Sequence, residues 1–595
     1  MERPLSGRLY RASLVLLAVP MLAAAFTVSR PAPLPPVTAA LEPAFDHVNA
    51  YRLAQDLVTL YPDRSPGSPA SGDAARWVAG ELSKLGLRTR TDRFTATIPG
   101  RGQVDLRNVS AVVPGRSRDT ILVVAHRDST RGHSGTNDNA SGTAALIELA
   151  RAYSSTRTTV GGVSPTHTLS FVSTDAGAYG LLGAQRLARS SPQSEHAVAV
   201  IVLDSIASRN PPRLEIAGDG PRSPAPGLLA TAEARLAEET GSTPEVPSAL
   251  AQLVDLAFPF SLTEQYPFLG DHIPALTVTT EGDRADEDAR PRRLDAVVLG
   301  RVGRAAEGLL ASLDASLEPA RGTSAYLYVG GRVVRGWAVA LLYVTLLVPF
   351  AVCLADLFAR LRRWGVPLRP ALRSYLRRLG FWLFAGAVFM LFALAGAWPG
   401  GDGAAINPAS EAATHWPRLA LALFALVVAA GWLVSRGRLV ADGPVESEDN
   451  VAGMAVALAA LALIAIVLIG TNPHALLFVL PSAHAWLWLV QARDRGPQLR
   501  ALLYVAGLAG PLLVLGSMAL RFGLGLDAPW YLGELTALGY VSAFTFILVL
   551  AWAAVAAQVL AVTSGRYAPY PSAGARPARG AVGTAIASMR ASWQR

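Results

Sequence analysis

The sequence is poor in cysteine and in charge, and each shortage excludes a class of protein. Its 595 residues include a single cysteine, Cys353, so an intrachain disulfide and a cysteine-based zinc site are both excluded. Charged residues make up only 16% of the chain, whereas hydrophobic residues make up 51%. Soluble domains typically carry about 25% charged residues. The balance therefore indicates a chain that lies partly in a membrane.

The charges that are present are unevenly distributed. Most acidic residues precede residue 320, and long apolar runs fill the rest of the chain. The formal net charge is +9, but the basic residues of the second half cluster beside apolar runs and not on a soluble module. Arginines beside apolar segments are typical of membrane topology. We therefore expect a lipid membrane, and not nucleic acid, as the partner of these basic residues.

The chain divides into five predicted segments. These are an N-terminal signal anchor or transmembrane helix (1–30), a Pro-rich linker (31–44), an extracytoplasmic domain (45–325), a seven-span transmembrane domain (326–565) and a basic cytoplasmic tail (566–595). A cleaved signal peptide would have the same features as the first segment. Both interpretations stay open, and we favour the uncleaved anchor. In either case the domain that follows is exported.

Seven apolar segments after residue 326 are long enough to cross about 30 Å of hydrocarbon. They lie near 337–358, 379–398, 418–434, 451–470, 474–491, 499–520 and 538–562. Arginine-rich connections alternate with connections nearly free of arginine, and positive loops stay in the cytoplasm. With the N-terminal segment as an eighth span, both termini are predicted to be cytoplasmic. A bacterial plasma membrane fits the composition.

The segment before the spans has the pattern of an α/β domain. Strands are predicted at Ile121–Ala125, Leu169–Ser173, Ala197–Leu203 and Ala275–Thr279, with helical stretches between them. One such helix is predicted over Gly72–Leu85, with Ser71 as its N-cap. Alternating strands and helices indicate a mostly parallel sheet with helices on both faces. The fold class is therefore α/β, followed by an all-α multi-span membrane domain.

Polar residues follow the predicted strands. His126, Asp175 and Asp204 come at three strand ends, and Asp138 lies in the loop after the first of these strands. Ligands of open α/β sheets bind at the carboxyl ends of the strands, so this edge is predicted to hold a metal ion. Asp128 is spaced to accept the ring N–H of His126 and fix its tautomer.

Five ordered motifs give the domain a resemblance to a known family. Residues 50–315 carry AHRDS, GTNDNASG, TDAGAYGLLGAQ, VLDS and EQYPFLGDHIPA. In these the chain resembles the M28 zinc metallopeptidases, which are aminopeptidase-type enzymes with two metal ions, and its layout resembles that of vacuolar and endoplasmic-reticulum members. The resemblance implies a zinc aminopeptidase-like fold. It also implies that Asp138 bridges two zinc positions, one of which is completed by His126 and Asp204.

The chain departs from this family where the second zinc and the general base are expected. Anchoring the third motif on its Gly-Leu-Leu-Gly places Gly177 at the general-base position and Ala178 at a ligand position. The late motif has Gln265 where a histidine ligand is expected, and an amide is a poor zinc ligand. The resemblance therefore implies one zinc ion, or none, and no retained catalytic residue.

The combined loss of the general base and of the second zinc position gives a testable expectation. Replacing Gly177 and Ala178 by glutamate and Gln265 by histidine is expected to raise the metal content from about one ion towards two. Four nearby residues are candidate substitutes for the lost groups: Asp175, Glu264, Asp271 and His272.

Three functions from different classes follow. The first is a catalytically impaired metallopeptidase-like domain, anchored in the membrane, that binds peptides or protein termini. The second is an active single-zinc aminopeptidase that uses a substitute base. The third is a membrane transporter or assembly platform with the outer domain as its receptor. The sequence indicates neither the substrate nor the oligomeric state.

Overall fold

The fold joins a seven-stranded sheet to an array of long apolar helices. A computed structural model describes residues 5–37, 44–154, 164–282, 294–316, 321–401, 403–410, 412–413, 416–440, 447–492 and 495–567. The predicted linker lies partly outside the described residues, and so does nearly all of the predicted cytoplasmic tail.

The sheet is mixed, with a parallel centre. Its strands are β1 (Arg88–Ile98), β2 (Gly102–Val113), β3 (Thr120–His126), β4 (Thr168–Thr174), β5 (Ala197–Leu203), β6 (Arg213–Glu215) and β8 (Ala275–Thr279), and the two-residue β7 (Ser223–Pro224) lies outside it. The order is β1-β2-β4-β3-β5-β8-β6. The four strands from β4 to β8 in this order run parallel, whereas β1, β2 and β6 pair antiparallel. The four predicted strands are these four parallel strands.

The β1–β2 hairpin is absent from the sequence prediction. β1 reads RTRTDRFTATI, and most of its side chains are exposed or half-buried. An edge strand with such polar faces lacks the apolar run by which the central strands are recognised. The sheet is therefore wider than predicted, although its parallel centre is as expected.

Helices cover both faces of the sheet. In the outer domain they are α3 (His47–Leu60), α4 (Pro69–Lys84), α5 (Ala140–Ala152), α6 (Leu182–Ser190), α7 (Pro226–Thr240), α8 (Ala249–Ala257), α9 (Gln265–Gly270) and α10 (Ala296–Ala315). Side chains alternate along β3: Val123 packs into one apolar cluster and Leu122 into another on the opposite face. Because side chains on both faces are buried, β3 is apolar from Ile121 to Ala125.

The helix predicted over Gly72–Leu85 begins three residues earlier. α4 starts at Pro69, and the side chain of Ser68, not that of Ser71, accepts a hydrogen bond from the first turn. Proline is favoured at the first helical position because its missing N–H needs no partner there. Ser71 is instead buried inside the helix.

The long helices form the second half of the chain, joined by the N-terminal segment. The N-terminal helices are α1 (Gly7–Leu14) and α2 (Ala18–Thr27), and those after the outer domain are α11 (Gly336–Arg363), α12 (Arg369–Leu394), α13 (Arg418–Leu439), α14 (Ser447–Thr471), α15 (Leu476–Leu489), α16 (Pro497–Gly507), α17 (Ala509–Arg521), α18 (Ala528–Ala537) and α19 (Ala543–Thr563). Two short antiparallel pairs lie around the junction of the halves. β9 (Thr323–Ser324) pairs with β7, and β10 (Tyr326–Val329) forms a hairpin with β11 (Arg332–Arg335).

Six of the described helical segments are long and apolar enough to cross a membrane, and a seventh candidate is the pair α16 and α17, which is bent by 57°. The prediction of a membrane span over 474–491 is corrected. Its helix, α15, covers only 14 residues, whereas a span needs about 20. His484, on this short helix, bonds to the Tyr10 hydroxyl of α1 at 2.8 Å, so the N-terminal segment packs against the other helices.

Candidate metal centre

Three elements bring one imidazole and two carboxylates together. His126 is the last residue of β3, and Asp204 follows β5 directly. Asp138 precedes Asn139, the residue that caps α5 by accepting a hydrogen bond from the Gly142 N–H at 2.9 Å. Because β3 and β5 are parallel neighbours, their carboxyl ends meet at one edge of the sheet. The sequence prediction placed these three side chains together, and they lie together.

The donor atoms converge to the separation that one metal ion requires. His126 Nε2 lies 2.9 Å from Asp138 Oδ1 and 3.7 Å from Asp204 Oδ1. One ligand atom from each residue lies within 4.8 Å of the others. Zinc binds imidazole nitrogen and carboxylate oxygen at about 2.0–2.2 Å in tetrahedral geometry, so ligand atoms three to four ångströms apart suit it. The residues present fit a single ion.

Asp128 lies beside the imidazole, but the predicted hydrogen bond from the His126 ring N–H is not formed. Its Oδ1 lies 3.3 Å from His126 Nδ1, which is a close ion pair whose alignment falls short of a hydrogen bond. Burial acts to lower the pKa of His126, but the carboxylates of Asp128 and Asp138 outweigh it and hold that pKa well above its usual value. Without a metal, the ring therefore carries a proton between carboxylates.

Asp128 also holds the loop of the third motif, residues 175–181. Its two oxygens accept the backbone N–H groups of Gly177 at 2.8 Å and Ala178 at 3.2 Å. Burial acts to raise the pKa of Asp128, yet His126 and these two N–H donors lower it overall. The charge of Asp128 thus fixes both the histidine ring and the loop that packs against it.

Gly177 packs directly on the His126 ring. A Cβ atom at Gly177 would lie 2.5 Å from His126 Cγ and 2.7 Å from His126 Cβ. Real Cβ contacts of this length do not occur, and the near end of a side chain cannot swing away as its tip can. The expectation that glutamate at position 177 helps to rebuild a second zinc position is therefore corrected, because that side chain would displace the histidine.

Gln265 lies away from the metal ligands and within a network of its own. Its Nε2 donates to the Ala217 carbonyl at 2.9 Å and to Ser261 Oγ at 3.0 Å, while its Oε1 accepts from Thr277 Oγ1 at 2.6 Å. The side chain is fully buried. Histidine at this position would leave part of the network unpaired, at a cost of about 1–3 kcal/mol for each buried group.

Three of the four candidate substitutes do not reach the site. The buried Asp175 pairs with the Arg127 guanidinium at 2.6 Å and accepts the Arg107 N–H at 3.0 Å, so it holds the turn. Asp271 and His272 are exposed at the end of α9, and Asp271 lies 4.0 Å from Arg189. The expectation that these three residues replace the lost groups is therefore corrected. Asp175 is paired with an arginine, and Asp271 and His272 lie at the exposed end of α9.

Glu264 is the substitute that does reach the site. It is buried, and Thr174 Oγ1 donates to its Oε1, while its Oε2 has no hydrogen-bond partner among the described residues. Burial raises its pKa to about 7, and the favourable charge of His126 and the Thr174 bond only partly offset this. A carboxyl with such a pKa exchanges its proton near neutral pH.

The ligands and Glu264 enclose a small space, here called the site cavity, of about 30 Å³. Its walls are His126, Asp138, Gly177, Ala178, Leu181, Asp204, Ser205, Leu262, Thr263, Glu264, Gly282 and Asn407. A cavity needs about 10–15 Å³ of such space to hold one water molecule. The cavity therefore has room for an ion with one or two waters, and it is too narrow for a peptide chain.

Two residues of this region are absent from the sequence prediction. Arg127, fully buried between two site residues, neutralises Asp175, and Asn407 reaches the cavity wall from the membrane half. Arg127 lies in the predicted motif, but its sequence neighbours do not reveal its partner. Asn407 lies in a connection between predicted spans, where no sequence signal marks it.

Comparison with known proteins supports the resemblance of the outer domain. Residues 108–293 match the description Peptidase family M28. Leupeptin-inactivating enzyme 1 of Streptomyces exfoliatus is 31% identical over 152 residues, which are 25% of this chain and 32% of that protein. A probable leucine aminopeptidase of Trichophyton verrucosum is 31% identical over 127 residues, 19% of this chain and 32% of that protein. The chain thus spans about a third of the length of these curated relatives.

Solved structures are similar over the same region. A zinc aminopeptidase from Bacillus subtilis, BSAP, aligns with a TM-score of 0.37 at 15% identity and covers 47% of this chain and 99% of its own. A glutaminyl cyclase from Porphyromonas gingivalis aligns with a TM-score of 0.38 at 18% identity, covering 45% of this chain and 99% of its own. The family match at residues 108–293 and the motifs that carry the resemblance thus lie in the same part of the chain, which is similar to peptidase family M28.

Proposed function

We propose that the chain is a multi-pass membrane protein whose M28 domain faces away from the cytoplasm, holds one zinc ion and binds the amino ends of peptides or proteins with little or no hydrolysis. The ion is held by His126, Asp138 and Asp204. When bound, it supplies Lewis acidity towards a carbonyl oxygen. In this proposal the domain retains ligand binding and has lost most of its turnover.

One observation carries the proposal. The backbone position that would bear the general base is Gly177, and the space of its side chain is filled by the His126 ring. A positioned general base contributes about 10² to 10⁴ in rate. The chain thus keeps three ligands for one ion while the loop that would bear the base is packed against one of those ligands.

The membrane location is supported by the helices and the arginines together. Several described helices are long and apolar enough to be spans. The adjoining ends of α11 and α12 and the end of α13 carry arginines, including Arg362, Arg363 and Arg436, while the connection between α12 and α13 that reaches Ala178 carries none before Arg418. By the positive-inside rule, this distribution supports a cytoplasmic location for the arginine-rich ends and a location outside for the M28 domain.

Removing the shared carboxylate tests the metal site. Asp138→Ala should lower the zinc affinity of the detergent-purified chain by at least about 100-fold, which exceeds the usual effect of losing an outer partner, since two ligands remain. Zinc content after dialysis against a graded chelator is the measurement. Asp271→Ala, an exposed carboxylate away from the ligands, is the matched control. Equal zinc content in both variants would contradict the proposed site.

A second candidate function is favoured by Glu264. Its carboxylate faces the same cavity as the ligands with one oxygen unpartnered, so it can take a proton there and support hydrolysis by a single-zinc enzyme. Metal-dependent release of amino acids that is lost in Glu264→Gln, with zinc content unchanged, would establish this function over the first.

The raised pKa of Glu264 predicts a dependence of stability on pH. In the folded metal-free chain the carboxyl has a pKa of about 7 against an ordinary value of 4.5, so ionisation opposes folding increasingly as pH rises from 4.5 to 7. Glu264→Gln should therefore stabilise the metal-free protein at pH 8 by roughly 3 kcal/mol and change it little at pH 4.5. Thermal unfolding in detergent with chelator present measures both, and destabilisation at pH 8 would contradict the buried ionised carboxylate.

A further inference from the structure

A segment of the membrane half lies over the site cavity. Residues 403–410, here called the plug segment, belong to the connection between α12 and α13. The Asn407 N–H donates to the Ala178 carbonyl at 3.3 Å, and Asn407 forms part of the cavity wall. Ala404 lies so close to Gly180 that a Cβ at Gly180 would sit 2.6 Å from the Ala404 Cβ. The plug segment therefore contacts the third-motif loop along its length.

The plug segment is packed as a core element is packed. Ile406 is 1% exposed and lies in an apolar cluster with Ala176, Ala178 and Tyr179 of the third-motif loop and Leu538 of the membrane half. Connections normally run over the surface with exposed side chains. Removing an isoleucine side chain from water stabilises its position. Its burial therefore holds the plug segment on the outer domain.

Hydrogen bonds attach the plug segment to the membrane half. The Tyr531 hydroxyl of α18 donates to the Ile406 carbonyl at 2.8 Å, and the Gly403 N–H donates to the Leu538 carbonyl at 2.9 Å. One side of the segment thus follows the membrane helices while the other closes the cavity. A movement of those helices would be transmitted directly to the site.

The helix that follows the connection is loosely held. No residue in an apolar stretch of 18 residues within α13 is buried by other parts of the protein. Its Phe424 contacts Phe389, Phe392 and Trp398, all within or beside α12. When α13 shifts in the membrane, its exposed surface remains in contact with lipid, so the shift costs little buried area. This helix is thus able to draw the plug segment away.

We propose that the plug segment is a built-in gate that keeps the metal site closed, so that the amino end of an extended peptide reaches the site only after the segment leaves. The identity of that ligand rests on the proposed function. The existence of the gate does not. With a cavity of about 30 Å³, this form has room for an ion with one or two waters, and the plug segment narrows the way in for the terminal residue of a peptide.

Thiol labelling measures the gate independently of metal or substrate. Cys353 is the only cysteine of the chain and is 1% exposed, so Cys353→Ser with Ala178→Cys gives a single reporter on the cavity wall. The full-length protein is labelled with a maleimide in detergent with chelator present. Ile406→Asp should speed labelling by at least about tenfold, because burying an unpaired carboxylate strongly disfavours the closed form.

Two further variants keep the test decisive. Tyr531→Phe removes only the hydrogen bond to the Ile406 carbonyl and should speed labelling by about fivefold, the value of one net hydrogen bond. It decides the test should Ile406→Asp fail to fold. Ala409→Asp places the same charge at an exposed position of the plug segment and should leave the labelling rate unchanged.

The outcomes separate the gate from the proposed function. Equal labelling rates in the parent, Tyr531→Phe and folded Ile406→Asp would overturn the gate, and so would equal acceleration by Ala409→Asp. Zinc content is measured on the same proteins before the thiol reporter is introduced. Absence of zinc together with the predicted labelling pattern would overturn the proposed function and uphold the gate.

Discussion

Gly177→Glu should reduce the zinc content of the purified chain from about one ion to near zero, although it introduces the residue that family members carry at this position. The new Cβ would lie 2.5 Å from His126 Cγ, so the imidazole must turn or shift. Its Nε2 then leaves the position 2.9 Å from Asp138 Oδ1, and two carboxylates alone are not the nitrogen-containing set that zinc favours. Zinc analysis after gel filtration is the measurement.

Graded variants distinguish this clash from the effect of a new charge. Gly177→Ala adds the Cβ without a carboxylate and should also lower zinc affinity. Gly80→Glu makes the same substitution in α4, where a Cβ meets no atom within 4 Å, and should leave zinc binding intact. Retention of about one zinc ion by Gly177→Glu would contradict the clash, because it would show that the loop relaxes to accept the new side chain.

Arg521→Met should destabilise the contact between the two halves of the molecule by about 3–5 kcal/mol, the cost of breaking a buried ion pair by removing one partner. The Arg521 guanidinium, at the end of α17, bonds Asp255 of α8 and lies 3.3 Å from Glu215 of β6. Both carboxylates are on the outer domain, and both side chains are largely buried. The variant leaves them without this cation.

The loss should depend on pH in a defined direction. Burial raises the pKa of Asp255 to about 6, with Arg521 opposing this and Glu215 adding to it. Removing the arginine raises that pKa further, so the defect should be full above the raised pKa, shrink as pH falls from there towards 6 and be lost below 6, where the carboxyl is protonated in both proteins. Thermal unfolding and limited proteolysis between the halves measure it.

Two substitutions serve as controls for Arg521. Arg495→Met removes an exposed arginine of the membrane half and should change stability little. Asp255→Asn combined with Arg521→Met should recover much of the loss, because one of the stranded charges is gone. A pH-independent loss would indicate that the packing of the arginine stem, and not its charge, holds the halves together.

The parallel centre of the sheet and the three ligands were predictable from the sequence. β3 and β5 are nearly continuous apolar runs because both faces are buried, and a run of that kind is visible without a structure. The residues that follow such strands meet at one edge by topology alone, so His126 and Asp204 were placed together. Asp138 was placed by the cap it precedes and by its resemblance to a family motif.

Other features had no local signal. β1 is largely polar at the edge of the sheet, and polar residues interrupt the buried half of β2, so no continuous apolar run marks either strand. The span predicted over 474–491 has the composition of a membrane segment, but its helix is only 14 residues long. Whether a nearby carboxylate can replace a lost catalytic group depends on the direction of its side chain. Spacing along the chain does not determine whether that side chain faces the cavity, a salt-bridge partner or solvent.

The sequence by itself determined the α/β domain, the apolar helices, the three candidate ligands and the glycine at position 177. Hydrophobic periodicity and short motifs encode these features locally. Only the tertiary structure decided that His126 fills the space beside Gly177, that Glu264 faces the cavity and that Asn407 closes it. Each of these is a contact between residues far apart in the chain, and such contacts follow from the packing of whole elements, which no local pattern specifies.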